Sequence, residues 1–302
     1  MIPSWRGTAF ARKNHYCRND ASACRMSTSV LLLALFAAIL HAGWNAFLRS
    51  GADRFWMMTV MNLAITVAAI PVALIFPIPV ADAWPYIVGS SLFQVAYGLL
   101  LVAAYRHGEL GQVYPIIRGS APLLVTVGSF FLMGEVLQPL AMLGVLCIVF
   151  GIMTLSLGKA RASGSSMLFA LATGVAIAGY STFDAIGIRV AAERPAYIAW
   201  VFILPGLLLS ATYMIMRGPL RIDLRSSETR KAIGGGLVSL LSYGTVLVAY
   251  SLAPAGPVSA LRETSVVFAA LIGWKFLGER LTPRRILACI VVATGAVLIG
   301  LS

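Results

Sequence analysis

The sequence predicts an all-α integral membrane protein: ten transmembrane helices in two inverted five-helix repeats around a central cavity. Three observations carry that prediction. The 302 residues are 59% hydrophobic and only 11% charged, about half the charged share of a soluble domain. Apolar stretches of about twenty residues, each able to cross a hydrocarbon core of roughly 30 Å, recur between short polar breaks. The second half of the chain repeats motifs of the first.

The ten segments fall at about 29–48, 56–76, 84–105, 112–133, 138–157, 166–188, 196–216, 232–252, 257–277 and 283–301. Inside a bilayer each must be a helix, because a lone strand leaves its backbone unsatisfied there. Charged residues mark the breaks. The first segment ends at Arg49 and the second begins just after Arg54. The third ends at Arg106. The fourth carries Pro115 and Pro122, which loosen helical hydrogen bonding around Arg118. The fifth ends before Lys159 and Arg161. Arg189 and Arg194 separate the sixth from the seventh. The longest break, from Arg217 to Lys231, is rich in Arg, Ser and Glu and leads to the eighth. The ninth ends at Lys275 and Arg280, and the tenth begins at Pro283.

Two stretches show the repeat. "AYRHGELGQVYPIIRGSAPLLVTVGSFFLMGEVLQP" starts at Ala104 and "AYSLAPAGPVSALRETSVVFAALIGWKFLGERLTP" at Ala249. Gly111 matches Gly256 and, after a slip of one residue, Arg118 falls on Arg262. Gly134-Glu135 then falls on Gly278-Glu279, Pro139 on Pro283 and Gly151 on Gly295. "AGWNAF" at Ala42 is echoed by "AGYSTF" at Ala178. The expected division is a basic tail over 1–27, a first repeat over 28–158 and a second over 165–302. Five spans per repeat is an odd number, so the second repeat enters the membrane upside down relative to the first, the plan of many secondary transporters.

"YPIIRGSAPLLV…FLMGE" and "ALRETSVVFAALIGWKFLGERLTP" resemble the two signature helices of the EamA family, in the drug/metabolite transporter superfamily. "LHAGWNAFLRSG" resembles the first helix of one EamA branch. The resemblance covers about 28–302. It implies a ten-helix basket lined mainly by helices 1, 3, 4, 6, 8 and 9, and it implies transport. It does not supply the substrate.

Arg and Lys collect after the odd-numbered helices, which places those loops in the cytoplasm and both termini outside. The basic tail argues the other way, and an alternative start at Met26 would remove it. The net charge of +12 follows membrane topology, and no nucleic-acid surface is expected. Cys147 and Cys289 lie in apolar segments, where a thiol acts as a small hydrophobe. The spacing of Cys17 and Cys24 matches no metal site, and no disulfide, metal or cofactor is expected.

The candidate site residues are polar groups inside apolar helices. Arg262 lies about five residues into the ninth segment, with Glu263 beside it. A charge at that depth costs several kcal/mol unless it is paired or faces a wet cavity. Adjacent helical residues point apart, so the two need not bond each other. Arg118 is the repeat mate of Arg262. His41 and Asn45 share a face of the first helix with Arg49, beside Trp44, and a histidine can carry a proton near neutral pH. Asp184 in the sixth helix is a proton carrier if buried unpaired and structural if paired with an arginine. Gln94, Tyr97 and Tyr243 are candidates to line the cavity. Glu135 and Glu279, at helix ends, read as structural.

These features predict a secondary transporter in the cell inner (plasma) membrane, probing no cofactor and acting as no enzyme. Its expected substrate is a small polar metabolite with an acidic group, such as an amino acid, organic acid or phosphonate, and its expected coupling ion is the proton. A phosphate-cradling G-x-x-x-x-G-K-[ST] motif is absent from the sequence. The rival readings are a flippase for a polar lipid headgroup and a membrane protein that transports nothing.

Overall fold

The computed structural model describes residues 26–50, 53–107, 110–156, 164–277 and 282–302. The 1–25 tail with Cys17 and Cys24, Glu279, and the side chain of Arg49 lie outside the described residues. The helices are α1 (Thr28–Ser50), α2 (Arg54–Ile75), α3 (Trp84–His107), α4 (Leu110–Met133), α5 (Pro139–Thr154), α6 (Gly164–Val190), α7 (Arg194–Arg217), α8 (Ser227–Tyr250), α9 (Ala255–Glu263), α10 (Ser265–Leu277) and α11 (Pro283–Leu301). Among the described residues there is no strand.

Local chemistry starts the helices where the charged breaks end. The Asp53 carboxylate accepts from the Phe55 and Trp56 amides at 3.0 and 3.1 Å and caps α2. Ser226 caps α8 through the Glu228 and Thr229 amides. Thr282 caps α11, and α5, α7 and α11 each carry a proline in the first turn, where a missing N–H costs nothing.

Among the described residues, nine spans are long and apolar enough to cross a membrane, with α9 and α10 together forming one of them. Their outward faces carry large apolar side chains such as Leu74, Phe131 and Ile215, which suit lipid rather than water. This is a multi-pass membrane protein. The segment expected at 138–157 is shorter: α5 has 16 residues, about 24 Å at 1.5 Å per residue.

A second departure concerns where the backbone breaks. Two prolines predicted a weakness near Arg118, yet α4 runs unbroken with both inside it. The break lies in the other repeat, at Thr264 between α9 and α10. There the Thr264 hydroxyl donates to the Leu261 carbonyl at 2.6 Å, and the Val267 amide turns back to the Thr264 carbonyl at 2.8 Å. That Val267 bond is of the tighter i→i+3 kind, which marks the end of one helix and the start of the next.

Repeat mates pack on each other, and they run antiparallel. A Cβ at Gly144 of α5 would stand 2.7 Å from the Gly295 carbonyl of α11, and a Cβ at Gly295 2.6 Å from the Gly144 carbonyl. One heptad on, Gly151 lies against the Ala288 carbonyl. Only glycine permits this approach. In α2 and α7, Phe55 meets Tyr213 and the Thr66 hydroxyl donates to the Phe202 carbonyl. Likewise α4 and α9 run in opposite directions, with Thr126 against Gly256. The remaining large contacts come as exchanged pairs: α3 packs on α6 as α1 packs on α8, and α4 on α6 as α9 and α10 on α1.

Candidate functional site

α4 and α9 start at opposite ends of the molecule and bring Arg118 and Arg262 to one carboxylate. Arg118 Nη1 lies 3.4 and 3.5 Å from the two oxygens of Glu263. Arg262 donates to Glu263 Oε1 from Nε at 3.3 Å and from Nη2 at 3.1 Å. All three side chains are buried, Glu263 completely. Neighbours in a helix need not bond each other, but these two do: Arg262 and Glu263 close α9, and the Arg262 guanidinium reaches across to the Glu263 carboxylate. The Arg118 guanidinium also stands 5.3 Å over the Tyr114 ring, an attractive cation–π contact.

The arginines form part of the wall of a central cavity of about 100 Å³. α1 adds His41, Trp44 and Leu48; α3 adds Gln94, Val95 and Tyr97; α6 adds Tyr180; α8 adds Ser239 and Tyr243. Two helices outside the expected lining set, α2 and α7, also contribute, through Met58, Met61, Asn62 and Ile65 and through Phe202, Pro205 and Leu209. They do so because they cross at the cavity floor, where Gly206 lies against the Asn62 carbonyl. Tyr97, Tyr180, Tyr243 and Phe202 follow one another with ring centroids 5.7 to 6.2 Å apart. Apart from Tyr97 and Tyr243, sequence reading did not single these residues out, because tyrosine, methionine and phenylalanine fill any apolar helix.

Three predicted residues, Asn45, Asp184 and Glu263, do not line the cavity. The Asn45 amide donates to the His41 carbonyl one turn back, at 2.8 Å, so it serves its own helix. Asp184 lies behind the wall and is completely buried. Its partners are neither of the cavity arginines. Tyr243 donates to it at 2.6 Å and Tyr197 at 3.4 Å, so the cavity-lining Tyr243 hydroxyl connects it to the cavity. Gln94 does line the cavity, with its amide nitrogen tied to Ser90 Oγ at 3.1 Å.

A separate ionic group closes one end of the molecule. Gly134 ends α4 with φ +67°, a backbone that glycine adopts freely, and turns Glu135 toward α6 and α9. Glu135 Oε1 takes Arg189 Nη1 at 2.6 Å, and Oε2 takes the Ala255 amide, the first of α9, at 2.9 Å. Arg189 also donates to the Tyr250 and Ala253 carbonyls, at 2.8 and 2.7 Å. This clamp joins the ends of α4, α6, α8 and α9.

Fold and cavity together define a multi-pass helical membrane protein with two like halves around a buried, charged centre. The chain belongs to the EamA-like transporter family, whose model matches residues 28–157 and again 164–301. It is thus a membrane transporter of the drug/metabolite type. No curated protein matches the chain. A solved crystal structure resembles it with a TM-score of 0.72, over 90% of this chain and 96% of that one, at 20% identity. That likeness speaks to the fold alone.

Proposed function

We propose that this transporter moves a small polar metabolite bearing an acidic group, by alternating access and coupled to protons. The observation that carries the reading is the pair of buried guanidiniums sharing one carboxylate at the cavity wall. Two cations to one anion leave a site that an anionic group balances. Guanidinium forks fit a carboxylate or phosphonate in a way that a point charge does not. Amino acids, organic acids and phosphonates share that chemistry.

Alternating access needs two halves that rock about the site. Repeat mates that cross antiparallel support ten spans in two inverted repeats, with the short α5 among them, and the basic loops support a cytoplasmic face after the odd helices. For the coupling proton, Asp184 is the better candidate than Glu263. Glu263 has two arginines as partners, whereas Asp184 has only neutral ones, two tyrosines and Ser90. A proton arriving at Asp184 removes a buried charge that neither tyrosine balances, and Tyr243 reports the change to the cavity.

The test is transport into proteoliposomes against a metabolite panel, with and without a pH gradient. Acidic compounds should move, and a proton uncoupler should abolish their accumulation. Accumulation that persists and follows a sodium gradient would overturn the coupling. Transport restricted to cations would overturn the substrate class.

A further inference from the structure

His41 sits at the cavity wall, 6% exposed, with an unusual hydrogen-bond account. Its Nδ1 lies 3.3 Å from Trp44 Nε1, and the two rings meet edge to face at 4.9 Å. An indole N–H can only donate. Nδ1 is therefore the acceptor and carries no proton, which puts the single ring proton on Nε2. That Nε2 is buried and has no partner. A buried N–H without an acceptor costs free energy, and native structures rarely leave one so.

The wall of the cavity does not provide the acceptor. Arg118 and Arg262, both within electrostatic reach of the ring, are donors only. The missing acceptor therefore belongs to whatever occupies the cavity, and beside two guanidiniums it is an anionic one. Protonating His41 would break the Trp44 bond and set a third cation against two others. A proton-carrying role for His41 thus conflicts with its own surroundings.

We propose that His41 binds the anionic group of the substrate as a neutral hydrogen-bond donor through Nε2, its tautomer fixed by Trp44. The proposal rests on the acidic-substrate reading above and adds a third donor, from α1, to those of α4 and α9. It also makes Trp44 a positioning residue, acting through the ring it holds.

The experiment uses the full chain in lipid nanodiscs with ¹⁵N-labelled histidine. The chain has three histidines, so His15→Gln and His107→Gln leave His41 as the sole signal. Two-bond nitrogen–proton correlations then read its tautomer directly. The expected result is Nε2–H in the free protein and a downfield shift of that proton on adding acetate or methylphosphonate, with no shift from acetamide. Calorimetry with the same probes should show His41→Gln, which keeps a donor near Nε2, within a few-fold of wild type. His41→Leu should bind roughly tenfold to a hundredfold more weakly, the loss of one hydrogen bond to a charged group. Trp44→Phe, which leaves the imidazole in place, should give mixed tautomers even if His41→Leu fails to fold. An Nδ1–H tautomer or an imidazolium in the free protein overturns the proposal. So does wild-type affinity in His41→Leu while Arg118→Lys binds weakly, and in that case the acidic-substrate reading stands. If neither anion binds wild type, that reading falls and the role of His41 falls with it.

Discussion

A lysine in place of either buried arginine keeps the charge but loses the fork. Arg262 now spends two nitrogens on one Glu263 oxygen, and Arg118 bridges both oxygens. Lysine has one ammonium to divide between carboxylate and substrate. Arg118→Lys and Arg262→Lys should each weaken anion binding by about 1–3 kcal/mol, measured by calorimetry; wild-type affinity in both would make the arginines structural. Asp184→Asn keeps the shape but cannot change charge. Its single amide oxygen keeps only one of the two tyrosine bonds, and Tyr243, at 2.6 Å, is the closer donor. The variant should transport substrate down its gradient but no longer against it when only a pH gradient is supplied, as a flux assay in proteoliposomes would show. These residues were legible in the sequence because a charge inside an apolar helix demands a partner. Tyr180 and Met58 were not, because nothing in their type or spacing separates a cavity wall from a lipid-facing one; Asn62, a polar group inside an apolar helix, was legible by the same rule and was passed over. The role of Glu263 was half legible: its charge stood out, but the sequence marks neither its meeting with Arg118, 145 residues away, nor the turn at Thr264 that follows it.

Among the elements, that turn decides how the site is made. Prolines are the conspicuous breakers in a sequence, and here they sit in the continuous helix. A proline removes one N–H and frees the carbonyl four residues before it, that of Arg118 for Pro122, yet α4 stays helical through both prolines. Thr264 instead redirects the chain between two helices that remain regular on either side. Thr264→Ala should straighten the span, shift the Arg262–Glu263 pair relative to Arg118 and lower anion affinity, whereas Thr264→Ser should preserve geometry and affinity; equal binding in the two variants would remove the hydroxyl from the account. The clamp at the other end of α9 makes its own prediction. Glu135→Ala removes both its bonds, so the buried Val258 beneath, replaced by cysteine in a cysteine-free background, should react several-fold faster with a membrane-impermeant maleimide. An unchanged rate would mean that the clamp closes nothing. Sequence reading marked Glu135 as structural without its partner, Arg189, which lies far along the chain and which no local spacing links to it.

For the molecule as a whole, the two halves were the most legible feature, since the matching motifs are spelled out in the chain. Their packing was not, because side chains at a crossing show up in sequence only as small residues among many. The Gly144–Gly295 crossing joins the halves by backbone contact. Gly295→Leu should cost several kcal/mol or abolish folding, while Val297→Ala on the exposed face of the same helix should change little; thermal unfolding in detergent compares them. The clamp and the arginine site also share a helix. α9 has its first amide on Glu135 and its last residue between the arginines, eight residues and about 12 Å apart at 1.5 Å per residue. Pivoted at Glu263, that helix is a lever. A tilt of about 10° swings its far end by roughly 2 Å, more than a hydrogen bond such as the Ala255–Glu135 contact tolerates. An anion that pulls an arginine away from Glu263 therefore loosens the far end without touching it, and bound acetate should speed maleimide labelling of the same Val258→Cys position even with Glu135 intact.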